Sequence, residues 1–360
     1  MDNLNKMRKD IRNIDKKIVE LIAKRIDIAR DIGYEKKKRK MLLRNQGVEK
    51  SAIEHTSQLA RKLGLSVQFV ETIMQQVIIE SRIQQERLHY SFYNGGKKNI
   101  FVVGGLGEMG KWFSNFFASQ GHNVSIYDIA GKSKAFRSYN TLKEGMKKSD
   151  FILIATPMEV TLDVIKMITD MNYQGVVFDI ASLKGYLADT IRTAVNNGIS
   201  IASIHPLFGP DTHTLSDKIV CFCNCGDDIA LSKVKTFFKD TAAITVQLSI
   251  DEHDRLISYI LGLSHFINIL FIMTLMKENN SSSLMTVAST TFASQIKTAR
   301  SVINDNPELY YSIQKLNPYR NKLYSELRRS LEEIVDIVES ERIDDFIKII
   351  KRGKEWLKQE

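Results

Sequence analysis

Apolar residues recur every three or four positions at the start of the chain: Met7, Ile11, Ile14, Ile18, Leu21, Ile28 and Ile32. That step is the period of one helix face, and it predicts a single long helix over residues 4–40. Position 25 falls on the same stripe yet holds Arg25. After "RNQG", residues 49–63 read as a second helix, closed by Gly64 where a left-handed residue ends a helix. Ser66 is placed to cap a third helix over 67–92. Asn94, Gly95, Gly96 and a lysine pair mark a linker, 94–98. Three helices alone make a thin core, so the segment 1–93 is expected to dimerise.

From Asn99 the period changes. "NIFVV", "NVSIYD", "DFILIATP", "GVVFDIAS" and "ISIASIHP" are short apolar strands separated by helical spacers. This alternation predicts a doubly wound parallel sheet with Rossmann-like order over 99–248. After "VCFCNC" and "ITVQLS" the strand signals stop, and 249–360 read as all helix. Within it "LGLSHFINILFIMTLM" is apolar on every side, which predicts deep burial. No window of about 18 apolar residues is expected in the chain, and so no membrane-spanning segment, and "MDNLNKMRKDIRNID" lacks the apolar stretch of a secretory signal. A cytoplasmic protein is expected.

Charge sharpens the division. The chain carries a net +9, but residues 1–98 hold 22 Lys/Arg against 12 Asp/Glu, and the rest is nearly neutral. A basic segment suits nucleic acid, a membrane surface or a small polyanion. Few stacking aromatics and no nucleic-acid module argue against the first; neither nucleic acid nor a membrane is expected as partner. The three cysteines, Cys221, Cys223 and Cys225, stand at every second position. That pattern builds no local disulfide and lacks metal-ligand spacing, so no metal is expected.

The run "FVVGGLGEMGKWF" places Gly105, Gly107 and Gly110 in the spacing G-x-G-x-x-G. It follows a strand, opens a helix, and is trailed about twenty residues on by Asp128 at a strand end, which together make a dinucleotide fingerprint. Gly105 is expected to permit the tight turn, Gly107 to admit a pyrophosphate at the helix N-terminus, and Gly110 to let helix and strand approach. Asp128 is suited to ribose hydroxyls and repels a 2′-phosphate, which favours NAD. Leu106 and Met109 in the loop, and Thr156 in "ATP", join the expected cofactor site. Ligands in such sheets lie beyond the carboxyl ends of the strands. There His205, in "HPLFGPD", can take a proton near neutral pH, and Ser182, in "ASLKG", can orient a hydroxyl.

"VVGGLGEMG", "FDIASLKG", "HPLFGPD", "EHDRLISYILGLSHF" and "DNPELY" occur in the order seen in prephenate dehydrogenases, and the three leading helices resemble an all-helical chorismate mutase. Along nearly its whole length the chain is similar to the bifunctional chorismate mutase/prephenate dehydrogenases. The resemblance implies two reactions toward tyrosine: rearrangement of chorismate to prephenate, and oxidative decarboxylation of prephenate to 4-hydroxyphenylpyruvate with NAD. It implies His205 as catalytic histidine, Ser182 as its orienting partner, His265 as a second active-site histidine, and Arg300 as the grip on the side-chain carboxylate. In the mutase it implies Arg25, Lys36, Glu49, Ser81 and Gln85 around the substrate, with Arg8 reaching in from the second chain of a homodimer. One straight helix cannot bring Arg8 and Arg25 to one small molecule, because 17 residues span about 25 Å. Two positions depart from the family pattern: Asn45 stands where Asp is usual and Val48 where Arg is usual. A purely dimerising or regulatory front domain, arogenate as substrate, and an unrelated imine or 2-hydroxyacid reductase with a nucleic-acid-binding arm stay open beside this reading.

Overall fold

The structure is a computed structural model and describes residues 2–39, 46–89, 96–239, 241–278 and 281–359. The chain separates into two compact units, Met1–Ser182 with Ala188–Ser249, and Leu183–Leu187 with Ile250–Glu360.

The first unit opens with three helices, α1 (Asp2–Lys38), α2 (Gln46–Lys62) and α3 (Val67–His89). Gly64 takes the left-handed conformation (φ 68°) expected after α2, and the Ser66 hydroxyl accepts from Phe69 N. The stripe on α1 stays bare in the single chain: Met7, Ile11, Ile14, Ile18 and Leu21 are each half or more exposed. An apolar row of that length without cover marks an association surface.

Eight strands follow: β1 (Asn99–Val103), β2 (Asn123–Tyr127), β3 (Arg137–Ser138), β4 (Phe151–Ile154), β5 (Val176–Asp179), β6 (Ser200–Pro206), β7 (Ile219–Asn224) and β8 (Ile244–Ser249). They form one sheet in the order β3-β2-β1-β4-β5-β6-β7-β8. The expected parallel order holds from β3 to β6, but β7 pairs antiparallel to β6, setting Cys221 opposite His205. The connection from Leu207 to Lys218 is a loop on the same end of the sheet, without a crossover helix, so the strand must return in the opposite direction. The two-residue β3 was not legible, being too short to show a period.

Strands covered on both faces read as unbroken apolar runs, and Ile100, Phe101 and Val102 are fully buried. On one face helix α4 (Glu108–Ser119) brings Phe113, Phe116 and Phe117 against Phe178, Phe222, Phe237 and Phe238. Phe117 meets Phe178 and Phe237 edge to face, with ring centroids 6.3 and 5.1 Å apart, the favoured arrangement for ring quadrupoles. His122 caps this cluster. Its Nδ1 accepts from Lys98 N at 3.2 Å, and its ring meets Phe237 edge on.

The second unit is helical from Ile250 to Gln359 among its described residues. One helical run, Ile250–Leu275, is long and apolar enough to cross a membrane by length and composition. That corrects the expectation that no such window exists: from Leu256 to Met276 no Asp, Glu, Lys or Arg occurs. Deep burial is corrected too. In Ser264–Leu275 only His265 and Asn268 are buried, while Met273 and Met276 are largely exposed. This unit supplies too few neighbours to cover a helix that is apolar all round.

Burial and nearby Lys98 depress the His122 imidazole to about 4 from its ordinary 6.5. The unfolded chain therefore binds a proton that the folded chain refuses between those values, and stability falls as pH drops from about 6.5 toward 4. Urea unfolding across that range is expected to show the fall, and His122→Gln to flatten it.

Candidate active sites

Helix α1 carries Arg25 into the first site because Arg25 stands on the row Ile22, Arg25, Ala29, Gly33 and Lys36, which is buried or half-buried while the apolar stripe stays bare. Arg25 Nη1 donates to Ser81 Oγ at 2.6 Å and to Val77 O at 3.3 Å. Ser81 Oγ donates back to Val77 O at 2.7 Å, which fixes the hydroxyl and leaves its lone pairs toward the guanidinium. One turn on, Gln85 is buried. It packs against Gly33 of α1, where an added Cβ would lie 3.1 Å from Gln85 Cγ. Gly33 was not singled out in the sequence, and only this close helix approach explains it.

Lys36 and Glu49 complete the group. Burial pushes the Lys36 ammonium down, and the Glu49 carboxylate pulls it back up. Arg82 Nη1 lies 3.6 Å from Glu49 Oε2; sequence reasoning missed Arg82, whose signal is a charge beside Ser81 on a helix face that is otherwise buried. Arg25, Ser81, Gln85, Lys36 and Glu49 are thus brought to the facing surfaces of three helices. Arg8 is not among them: it is exposed near the start of α1. Val48 is exposed on the first turn of α2. Asn45 lies outside the described residues.

The glycine run forms the strand-to-helix turn the spacing predicts, with one change of role. The left-handed residue is Gly104 (φ 83°), not Gly105. A Cβ at Gly104 would meet Ala155 O at 2.5 Å, and one at Gly105 would meet Ile126 Cβ at 2.5 Å. At Gly110 it would fall 2.0 Å from Gly104 O, so helix and loop touch backbone to backbone. Gly107 caps α4 without any side-chain hydrogen bond. The first-turn N–H groups of α4 therefore have no acceptor within the helix. A pyrophosphate fits that cradle: donors converge, side chains are absent, and the dipole favours an anion.

Asp128 does more than expected. Its Oδ2 accepts from Leu106 N at 2.9 Å and its Oδ1 from Ala130 N at 2.9 Å. The carboxylate holds the glycine loop shut, and each oxygen keeps a lone pair for a ribose hydroxyl. Leu106 and Met109 pack on the sheet core beside it. Thr156 closes the end of β4 through its hydroxyl contact with Thr161 at 3.0 Å. Ser182 follows β5, and His205 is buried near the end of β6, so both sit at the carboxyl ends of adjacent parallel strands.

In the second unit His265 is buried and stacks on Tyr310, with ring centroids 3.9 Å apart. Burial lowers its affinity for a proton, and Asp305 partly restores it. Tyr310 donates to Asp305 Oδ2 at 2.9 Å. A π-helical turn, Ser258–Leu263, immediately precedes His265; such turns are frequent at functional sites, and no periodicity announces them. Arg300 is exposed in the last turn of Thr290–Ile303. The quoted run "EHD" gains a structural role. Asp254 accepts from Lys184 N at 2.9 Å and Gly185 N at 2.6 Å, and His253 Nδ1 lies 2.8 Å from Asp254 Oδ1. This buried knot clamps "LKG" to the helix Ile250–Ile257.

Three family models match in order: chorismate mutase type II over residues 7–86, the prephenate dehydrogenase nucleotide-binding domain over 122–247, and the prephenate dehydrogenase dimerization domain over 249–352. The glycine run precedes the second match. A T-protein of Enterobacter agglomerans is 23% identical over 98% of this chain and 92% of its own. A probable arogenate/prephenate dehydrogenase of Methanocaldococcus jannaschii is 29% identical over 71% of this chain, which spans 60% of that protein's length. Prephenate dehydrogenase from A. aeolicus, solved with hydroxyphenyl propionate and NAD+, shares the fold at a TM-score of 0.61 and 19% identity, covering 72% of this chain and 97% of that one.

Gly110→Ala is expected to weaken NAD binding at least tenfold in a fluorescence titration, because the added methyl must push α4 away from Gly104. Circular dichroism is expected to show the helices of 2–89 retained.

Proposed function

Because the chain belongs to the family that fuses a type II chorismate mutase domain to a prephenate dehydrogenase, we propose that it carries out two consecutive steps toward tyrosine. It rearranges chorismate to prephenate, then oxidatively decarboxylates prephenate to 4-hydroxyphenylpyruvate with NAD. The observation that carries this reading is the order of the three domain matches, combined with a formed Arg25–Ser81 contact in the first and an open glycine cradle just ahead of the second. The working division is a helical mutase domain (1–93), a linker (94–98), a nucleotide-binding domain (99–248) and a helical substrate and dimerisation domain (249–360).

The rearrangement needs no proton transfer, only a compact conformer and positive charge at the breaking ether. Arg25 and Lys36 hold the two carboxylates, and Ser81 fixes the Arg25 fork. Gln85 donates to the ether oxygen, and Glu49 accepts from the ring hydroxyl. Arg8 comes from a second copy of the chain, whose α1 covers the bare stripe of the first. The homodimer also covers the exposed apolar surface of Ser264–Leu275, which makes the membrane-length run an interface helix of a cytoplasmic enzyme.

In the dehydrogenase, NAD bound at the glycine cradle supplies the hydride acceptor. Gly107 and the first turn of α4 hold its pyrophosphate, and Asp128 its ribose. His205 accepts the ring-hydroxyl proton as that oxygen becomes a carbonyl, and Ser182 orients the pair. Arg300 grips the side-chain carboxylate with its planar fork. The depressed basicity of His265 keeps it neutral at pH 7, so it takes part as a hydrogen-bonding imidazole rather than a cation. Arogenate is the competing substrate, distinguished by an amino group where prephenate has a keto group.

A second reading makes residues 1–93 a dimerising module without chemistry. Exposed Val48, where the family carries Arg, favours it.

Supplied with NAD and either prephenate or chorismate, the purified protein is expected to form NADH from both. NADH from prephenate alone supports the second reading; silence with prephenate, chorismate and arogenate overturns the proposal. His205→Asn is expected to lower NADH formation from either substrate by about 10²–10⁴-fold. Arg25→Ala is expected to abolish it from chorismate only.

A further inference from the structure

The buried face of α3 beside the mutase residues is tied to the sheet domain. Arg82 is 8% exposed. Its Nη1 donates to Asp217 Oδ1 at 3.1 Å and its Nη2 lies 2.5 Å from Asp217 Oδ2, a two-pronged pairing. Asp217 belongs to the loop joining β6 to β7, twelve residues after His205. One helical turn further, Glu86 is 1% exposed and accepts from Leu215 N at 2.8 Å and Ser216 N at 3.2 Å. A buried carboxylate held by two backbone N–H groups is a costly feature that persists only where it is fully matched. Asp217 itself takes a left-handed backbone (φ 62°), which non-glycine residues rarely adopt without a reason.

The same guanidinium faces the mutase site. Arg82 follows Ser81 directly and meets Glu49 through Nη1 at 3.6 Å, beyond hydrogen-bond reach. Asp217 therefore takes the hydrogen bonds of the Arg82 fork, while Glu49 stands at ion-pair distance from Nη1. We propose that Asp217, a residue of the sheet domain, is a positioning residue for the mutase reaction, acting on Glu49 through Arg82. Without it, Arg82 turns its fork onto Glu49 and withdraws that carboxylate from the substrate hydroxyl. The mutase site is then complete only when α3 is seated on the loop that follows His205. This inference rests on the mutase reading above.

The test measures chorismate rearrangement in the full-length protein, wild type first. Asparagine tolerates the left-handed conformation and removes the charge, so Asp217→Asn is the probe. Its kcat/KM for chorismate is expected to fall about tenfold. In an Arg82→Met background the same change is expected to do nothing further, because there is no fork left to release. NADH formation from prephenate reports that the sheet domain of each variant is folded. An inert wild type overturns the mutase reading and this inference with it. An active wild type with an unaffected Asp217→Asn overturns the inference alone. So does a tenfold loss that persists in the Arg82→Met background.

Discussion

A methyl group at Gly110 would lie 2.0 Å from the carbonyl oxygen of Gly104. That absence of space seats α4 on the sheet, and much of the first unit follows from the seating. The N-terminus of α4 reaches the glycine loop with its donors uncapped. Its opposite face delivers three phenylalanines to the aromatic core. Trp112, on the same helix, donates to Thr212 O at 2.7 Å and packs on Phe208. The loop after His205 is thereby fastened to the cofactor helix, and the same loop, three to five residues on, grips α3. One close backbone contact thus helps set the cofactor cradle, the end of the strand that carries His205 and the support of α3.

The sequence exposes these parts unevenly, for physical reasons. Strands buried on both faces are continuous apolar runs, so β1, β2 and β4–β6 stand out to within three residues at either end. The glycine spacing is equally plain because each position is fixed by sterics. Which glycine turns the chain was misread, since Gly104 and Gly105 are adjacent and only the backbone angle separates them. The reversal at β7 leaves no periodic trace, because a strand's apolar pattern is the same in either direction. The π-turn before His265 is equally silent. Arg82, Glu86 and Asp217 escaped notice because a charged residue on a helix or loop is usually solvated. Their meaning appears only when residues 131 positions apart, as Glu86 and Asp217 are, come to one surface.

Exposed apolar surface misled the reading of Ser264–Leu275 in an instructive way. A helix that is apolar all round does need cover, but not cover from its own chain. The stripe of α1 poses the same demand at the other end of the sequence. Both surfaces lie on helices, which can pair with a second copy by interleaving side-chain ridges without any unpaired backbone group. A sheet edge could not be left open so safely.

Glu86 is the residue that best distinguishes a built interface from mere tethering. A flexible linker between a mutase and a dehydrogenase would leave α3 polar on this side, with Arg82 and Glu86 in water. Instead Glu86 is almost fully buried, and removing its two N–H donors would strand a carboxylate in a low-dielectric site. Such a loss costs about 3–5 kcal/mol when one partner of a buried charged contact is lost. Parting α3 from the 215–217 loop returns the carboxylate to water instead, and what is given up is the set of hydrogen bonds that Glu86 and Arg82 make to the loop. A helix that bears Ser81 and Gln85 on one face and Arg82 and Glu86 on the next cannot shift for one domain without disturbing the other. The orientation of the mutase residues is therefore a property of the joined domains, not of the three helices alone.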